Sequence, residues 1–120
     1  MKPTFLAGPN IAMKVPQQHF ETTVAFYRDT LGMAEIAELK PDVVFQFGAN
    51  RLWIDPTPSV EQAEIGLQVQ TEDLEGAADH LAGFRSGRAD GIEPLPDGFS
   101  GFWISSPAGV VHLASRRSQP

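Results

Sequence analysis

The fold is indicated by a six-residue stretch that occurs twice, as NIAMKV at residues 10–15 and as EIGLQV at residues 64–69. In both copies apolar side chains alternate with other side chains, which is typical of a β-strand that packs one face against a core. The apolar positions coincide at an offset of 54 residues, from position 10 to position 64. Such a repeat predicts two copies of one structural module.

A helix is predicted after each copy. The first covers about residues 17–31, where four apolar side chains recur at helical spacing and Gly32 follows as a left-handed terminating residue. The second is predicted to begin with Thr71 as its N-cap, to carry acidic residues in its first turn, and to end near Gly83. Both helices are amphipathic and suited to covering a sheet face.

Further strands complete each copy. The predicted segments are residues 33–39, 43–47, 51–55, 102–105 and 110–114, with 92–95 as a short edge strand. The order predicts an α+β fold of two tandem βαβββ modules within one domain over residues 1–120. Module 1 spans about residues 10–55, a proline-containing linker spans 56–63, and module 2 spans about 64–115.

Composition excludes several classes of partner. Nine Lys and Arg face 15 Asp and Glu, for a net charge of −6, so neither a nucleic acid nor an anionic membrane is an expected partner. The absence of Cys excludes disulfides and thiol nucleophiles. No stretch resembles a secretion signal or a membrane span, and a cytoplasmic protein is expected.

Residues 20–33, FETTVAFYRDTLGM, resemble the first-helix signature of the glyoxalase, bleomycin-resistance and extradiol-dioxygenase group, the vicinal oxygen chelate superfamily. Residues 106–109, SPAG, stand where that superfamily usually has Asp-Pro-x-Gly, with Ser106 in place of the Asp. The resemblance covers about residues 10–115. It implies a cupped mixed or antiparallel sheet, often completed in a homodimer, with a small-molecule ligand inside the cup.

The same resemblance implies a set of metal positions. Metal-using members place ligands on the first and last strands of each module, which by position are Asn10, Trp53 or its neighbour Asp55, Glu64, and His112. First-strand ligands are commonly His or Gln and last-strand ligands commonly Glu, so this sequence departs at three of the four positions. His112, Glu64 and Asp55 remain as candidate ligands for a divalent ion such as Zn, Ni, Mn or Fe. Glu64 is also the candidate proton-transferring residue.

Side chains on the strand faces opposite the apolar ones are candidates for ligand binding. The candidates are Asn10, Lys14, Trp53, Asp55, Gln68 and Trp103. Ordinary surface placement is the alternative for the polar ones. An indole among polar neighbours is typical of a contact surface. The pattern leaves open whether Trp103 or the adjacent Phe102 points into the core.

Three functions are compatible with these observations. The first is a binding protein that holds a planar or aromatic molecule without a metal, with Trp53 as a stacking surface. The second is a metal-dependent lyase or isomerase of the glyoxalase type, in which the ion polarises a carbonyl oxygen. The third is a structural or regulatory domain with a vestigial cup. The departures among the metal positions favour the first and disfavour a ring-cleaving dioxygenase.

Overall fold

The computed structural model of the protein describes residues 3–85 and 99–116. The chain divides into two compact units, here called the N-terminal unit, residues 9–66, and the C-terminal unit, residues 1–8 and 67–120. The division falls after Gly66, beyond the predicted linker and inside the second copy of the repeated strand. The first eight residues belong with the second unit, which the repeat alone does not indicate.

The N-terminal unit contains most of β1 (Leu6–Val15), the helix α1 (Phe20–Ala25), β2 (Val43–Phe47) and β3 (Asn50–Pro56). A 3₁₀ turn, Gln17–His19, precedes α1, and a π-helical stretch, Phe26–Thr30, continues it. The helical region ends at Gly32, whose φ of 69° is the left-handed conformation that glycine adopts without strain. The predicted first helix is therefore confirmed in place, although it is built from three kinds of helical turn.

The strands of this unit lie in the order β2-β3-β1, with β1 parallel to β3 and β2 antiparallel to it. The alternating apolar residues of β1 and β3 pack under the helix, where Val15, Val24, Phe45, Leu52 and Ile54 form the buried core. Tyr27 of the helix lies on Phe45, with ring centroids 5.9 Å apart. The core thus occupies one face of the sheet and leaves the other face for the side chains between the apolar ones.

The predicted strand over residues 33–39 is only partly present. Residues 34–36 bond to β2 through Ile36 N to Val44 O at 2.8 Å and Gln46 N to Ala34 O at 2.9 Å, but Ala37–Leu39 form a 3₁₀ turn. This turn consists of Ala, Glu and Leu, which lack the β-branching that favours a pleated strand.

The C-terminal unit contains most of β4 (Glu64–Thr71), the helix α2 (Leu74–His80), β5 (Gly101–Ser105) and β6 (Val111–Arg116). The strand order is β4-β6-β5, and β5 is antiparallel to β6. The helix packs Ala77 against Phe102, Ile104 and Ala114. The predicted edge strand at residues 92–95 lies outside the described residues.

The predicted N-cap of the second helix is wrong by two residues. Thr71 ends β4, and Asp73 is the N-cap, with its Oδ1 accepting a hydrogen bond from Gly76 N at 3.0 Å. A carboxylate at this position accepts a hydrogen bond from an otherwise unpaired helical N–H, and its negative charge interacts favourably with the positive end of the helix dipole. The Thr71 hydroxyl instead accepts a hydrogen bond from Asp73 N at 3.3 Å.

Candidate functional site

One face of the sheet in the N-terminal unit lies opposite the helix-packed core. Register pairs Asn10 with Arg51 and Lys14 with Asp55 across β1 and β3, and Trp53 alternates between Arg51 and Asp55. Paired residues of neighbouring strands share a face, so these five side chains project on the same side. The predicted grouping of Trp53 with Asp55, away from Leu52 and Ile54, is what the register shows.

The indole of Trp53 is fixed by a hydrogen bond on this face. Its Nε1 donates to Asn10 Oδ1 at 2.9 Å, and Trp53 is partly buried. An indole N–H is a donor only, and this bond satisfies it without covering the ring. In the described part of the chain, no aromatic ring or cation lies against the Trp53 ring. The hydrogen bond therefore fixes the orientation of a partly buried indole that has no aromatic or cationic partner among the described residues.

Lys14 and Asp55 form an ion pair further along the same face. Lys14 Nζ lies 2.8 Å from Asp55 Oδ2, and the side chains are only 12% and 28% exposed. Partial burial reduces screening by water, so each charge depends on the other more than in an exposed pair. Two of the predicted ligand-binding residues therefore contact each other through an ion pair.

Arg51 is the member of this face that sequence reasoning did not include among its candidates. It is partly buried, and no hydrogen bond or ion pair holds its guanidinium within residues 3–85 and 99–116. The signal that could have identified it is its spacing, two residues before Trp53, which places both side chains on one strand face.

The C-terminal unit has its own polar contact at the corresponding place. Gln68 Nε2 donates to Ser115 Oγ at 3.2 Å, and both residues are buried. Gly8 packs so closely on Gln68 that a Cβ at residue 8 would collide with the Gln68 amide. Gln68, predicted to bind ligand, is therefore held among Gly8 and Ser115, although its role in binding stays a prediction.

Trp103 and Phe102 are both buried, at 5% and 6% exposure. Phe102 belongs to the cluster under α2, and alternation places Trp103 on the opposite face of β5, paired with Leu113. Phe102 is thus the residue that faces the helix-packed core. Trp103 lies on the other face, where its burial contrasts with the partial exposure of Trp53.

His112 lies on the face of β6 that packs against α2. It pairs with Ile104, and Phe102 pairs with Ala114, both part of the cluster under that helix. Ser115, which contacts Gln68, is on the other face of β6. Trp53 and His112 are the candidate positions on the last strands of the two modules, yet Trp53 lies away from its helix-packed core and His112 lies towards its own, the difference that a shift of one residue makes in a strand.

The proposed metal ligands do not fit a metal ion in this arrangement. Asn10 Oδ1 accepts from Trp53, Asp55 is paired with Lys14, and His112 projects on the helix side of β6. In the described ranges, no group of three or more His, Asp or Glu side chains is close enough to hold a metal. Structural and catalytic metal sites need at least three such donors at bonding distance. Glu64 lies partly buried at the start of β4, and its catalytic role stays a prediction.

The Tyr-Arg-Asp signature has a local structural role. Tyr27 packs in the core, while Arg28 and Asp29 bond to each other at 3.1 Å on the exposed side of the π-helical stretch. The hydrogen bond from Arg28 lowers the pKa of Asp29, and the same bond raises the pKa of Arg28. Both side chains are at least half exposed, so this pair lies outside the candidate site.

Comparison with solved structures identifies the fold. The chain is similar to a glyoxalase/bleomycin resistance protein/dioxygenase superfamily member from Vibrio splendidus, with a TM-score of 0.58 and 12% identity over 92% of this chain and 98% of that one. It is also similar to a homoprotocatechuate 2,3-dioxygenase variant from Brevibacterium fuscum, with a TM-score of 0.62 and 18% identity over 98% of this chain and 34% of that one. A third similar structure is a Mn(II)-bound glyoxalase from Novosphingobium aromaticivorans, with a TM-score of 0.54 and 17% identity over 96% of this chain and 44% of that one.

The resemblance read from residues 20–33 is thereby confirmed at the level of the fold, which is the α+β fold of the glyoxalase/bleomycin resistance/dioxygenase superfamily. The chain spans nearly all of the first of these proteins and less than half of the other two. No family model and no curated protein sequence matches it. Within the described residues, no helix is long and apolar enough to cross a membrane.

Proposed function

We propose that the protein binds a small planar or aromatic molecule on the face of the N-terminal unit that carries Trp53. The observation that carries the proposal is the hydrogen bond from Trp53 Nε1 to Asn10 Oδ1 at 2.9 Å, which holds a partly buried indole on a polar face. A ring whose orientation is already fixed loses little freedom when a ligand stacks on it, which improves affinity. Stacking on an indole contributes about 0.5–1.5 kcal/mol beyond area burial.

The Lys14–Asp55 pair supports the same proposal. Asp55 lies two residues from Trp53 on β3 and Lys14 lies on the adjoining β1, so the polar atoms of the pair can orient a ligand carbonyl or hydroxyl. Binding sites of this kind combine an apolar contact surface with a few fixed polar groups. The ligand-binding roles of Asn10, Lys14, Trp53 and Asp55 follow from this placement as parts of one proposal.

The test uses the two indole N–H signals that a protein with two Trp residues gives in a ¹H–¹⁵N correlation spectrum. A titration with 4-hydroxybenzamide, a neutral planar probe, is expected to shift the Trp53 signal, identified by its loss in Trp53→Phe. The Trp103 signal is the internal control, because that residue is buried and belongs to the other unit. A shift of Trp103 alone, or no shift of Trp53 at millimolar probe, would contradict the proposal.

The positions of the candidate metal ligands do not favour a metal-dependent lyase or isomerase. Its metal ligands would be Asp55, Glu64 and His112. Asp55 forms an ion pair with Lys14, and His112 lies on the helix side of β6. One neighbour in fold is described as a Mn(II)-bound glyoxalase, and that metal belongs to that protein. Binding without a metal is the proposal that agrees with the residues present.

We further propose that the protein is a homodimer in the cytoplasm. Several large apolar side chains of the described residues are exposed to solvent. Among them are Phe26, Leu31 and Phe47, which are 47%, 50% and 39% exposed. Exposed apolar surface of this kind is typical of a contact with another subunit. Sedimentation should show a species of twice 13.1 kDa at micromolar concentration, and a species of 13.1 kDa alone would contradict the dimer.

A further inference from the structure

We infer that Arg51 makes the Trp53 face selective for planar aromatic carboxylates, a conclusion that rests on the proposed function and names its ligand class. The ring of such a ligand stacks on Trp53, and its carboxylate accepts hydrogen bonds from the Arg51 guanidinium. Arg51 is therefore a specificity-determining residue of the site.

The spacing of the two side chains suits this ligand. Arg51 and Trp53 are two residues apart on β3 and on the same face, which separates their Cα atoms by about 7 Å. A carboxylate attached directly to a benzene ring lies a few ångströms from the ring centre. A long, flexible arginine side chain covers the remaining distance and offers a planar fork that matches a carboxylate.

The state of the guanidinium supports the same conclusion. Arg51 is partly buried, and the described residues provide it with neither a hydrogen bond nor an ion pair. A partly buried cation loses hydration, and hydrogen bonds from the guanidinium to an anion offset part of that loss. The Trp53 ring does not serve as a cation–π partner of Arg51 either, because the cation–π contact within the described residues joins Arg85 and Phe102.

The paired neighbours of Arg51 on the adjoining strands carry no charge. They are Asn10 on β1 and Gln46 on β2, while the ion pair of Lys14 with Asp55 lies four residues further along β3. Arg51 therefore places a positive charge between neutral strand neighbours, on a protein whose overall charge is −6. Attraction of an anion to this face is local, and it favours a ligand that also stacks on the indole.

The experiment compares two probes of nearly equal size and shape, the anion 4-hydroxybenzoate and the neutral amide 4-hydroxybenzamide. Each is titrated into the full chain and followed by the Trp53 indole N–H signal. The parent is expected to bind the benzoate roughly tenfold more tightly, since hydrogen bonds to charged groups are the stronger ones. Arg51→Gln should remove that preference while leaving benzamide affinity unchanged. Arg28→Gln, which removes an exposed arginine outside the site, is the matched control and should keep the preference.

The outcomes separate the two levels of the proposal. If both probes shift Trp53 with equal affinity in the parent, or if Arg51→Gln keeps the preference, the role of Arg51 is refuted while ligand binding on this face stands. If neither probe shifts Trp53, the proposed function fails, and the inference about Arg51 fails with it. Urea unfolding of Arg51→Gln shows whether the variant is folded, and Arg51→Lys, which keeps the charge but not the fork, should show an intermediate preference.

Discussion

The ion pair between Lys14 and Asp55 offers the sharpest test of how the candidate face is built. Asp55→Asn removes the negative charge that pairs with Lys14, a side chain that is only 12% exposed. Exposed pairs contribute about 0–1 kcal/mol, whereas breaking a fully buried pair costs about 3–5 kcal/mol. Exposures of 12% and 28% place this pair between those limits, so we expect a loss of about 2 kcal/mol in the free energy of unfolding.

Urea unfolding followed by circular dichroism measures this loss. With a denaturant slope of about 2 kcal/mol/M, the midpoint should fall by about 1 M. Lys14→Met and the double variant complete a cycle, in which the two single losses should not add, because each single variant already removes the Lys14–Asp55 contact. Asp29→Asn is the matched control: its exposed pair with Arg28 should leave the midpoint unchanged. An Asp55→Asn midpoint equal to that of the parent would refute the ion pair.

Four further predictions concern other parts of the chain. Gly8→Ala should destabilise the protein because its Cβ meets the Gln68 amide, and the same change should cost less in a Gln68→Ala background, as urea midpoints would show. Asp73→Ala should cost about 1 kcal/mol of stability through loss of the helix N-cap, and Asp73→Asn should cost much less. The Asp29 carboxyl should titrate below 3.8 by NMR, with Arg28→Gln returning it towards that value. A pKa that is lower in the folded than in the unfolded protein stabilises the fold at pH values above the unfolded pKa, and this stabilisation is lost as the pH falls through the folded pKa. Because the Asp29 side chain is exposed, the effect should be too small to detect in unfolding experiments. Elemental analysis should find no stoichiometric divalent metal in the purified protein.

The parts of the fold predicted from sequence are those with strong local signals. The alternation in residues 10–15 and 51–55 predicted which side chains share a face, and Gly32 marked the end of the first helical region. The pairing of Asn10 with Trp53 could not be predicted, because alternation assigns a face but not a register between strands.

Two predictions failed for different reasons. The sequence treats Trp53 and His112 as equivalent positions on the last strands of the two modules, but Trp53 lies on the face away from the helix-packed core and His112 on the face towards α2. Thr71 was preferred over Asp73 as a helix cap because both residues are good caps and local sequence does not show where β4 ends. The spacing in the sequence places Arg51 on the Trp53 face, but only the structure shows that its guanidinium has no hydrogen bond or ion pair within the described residues.

The most direct test of the central claim is the affinity of the parent and of Trp53→Ala for 4-hydroxybenzoate, measured by calorimetry. If the ligand stacks on the Trp53 indole, the variant should bind at least about fivefold more weakly, which corresponds to about 1 kcal/mol of stacking. The fold should be retained, because Trp53 lies on the face away from the helix-packed core, and Trp103→Phe should bind like the parent. Equal affinity of the parent and a folded Trp53→Ala would contradict a ligand site on this face.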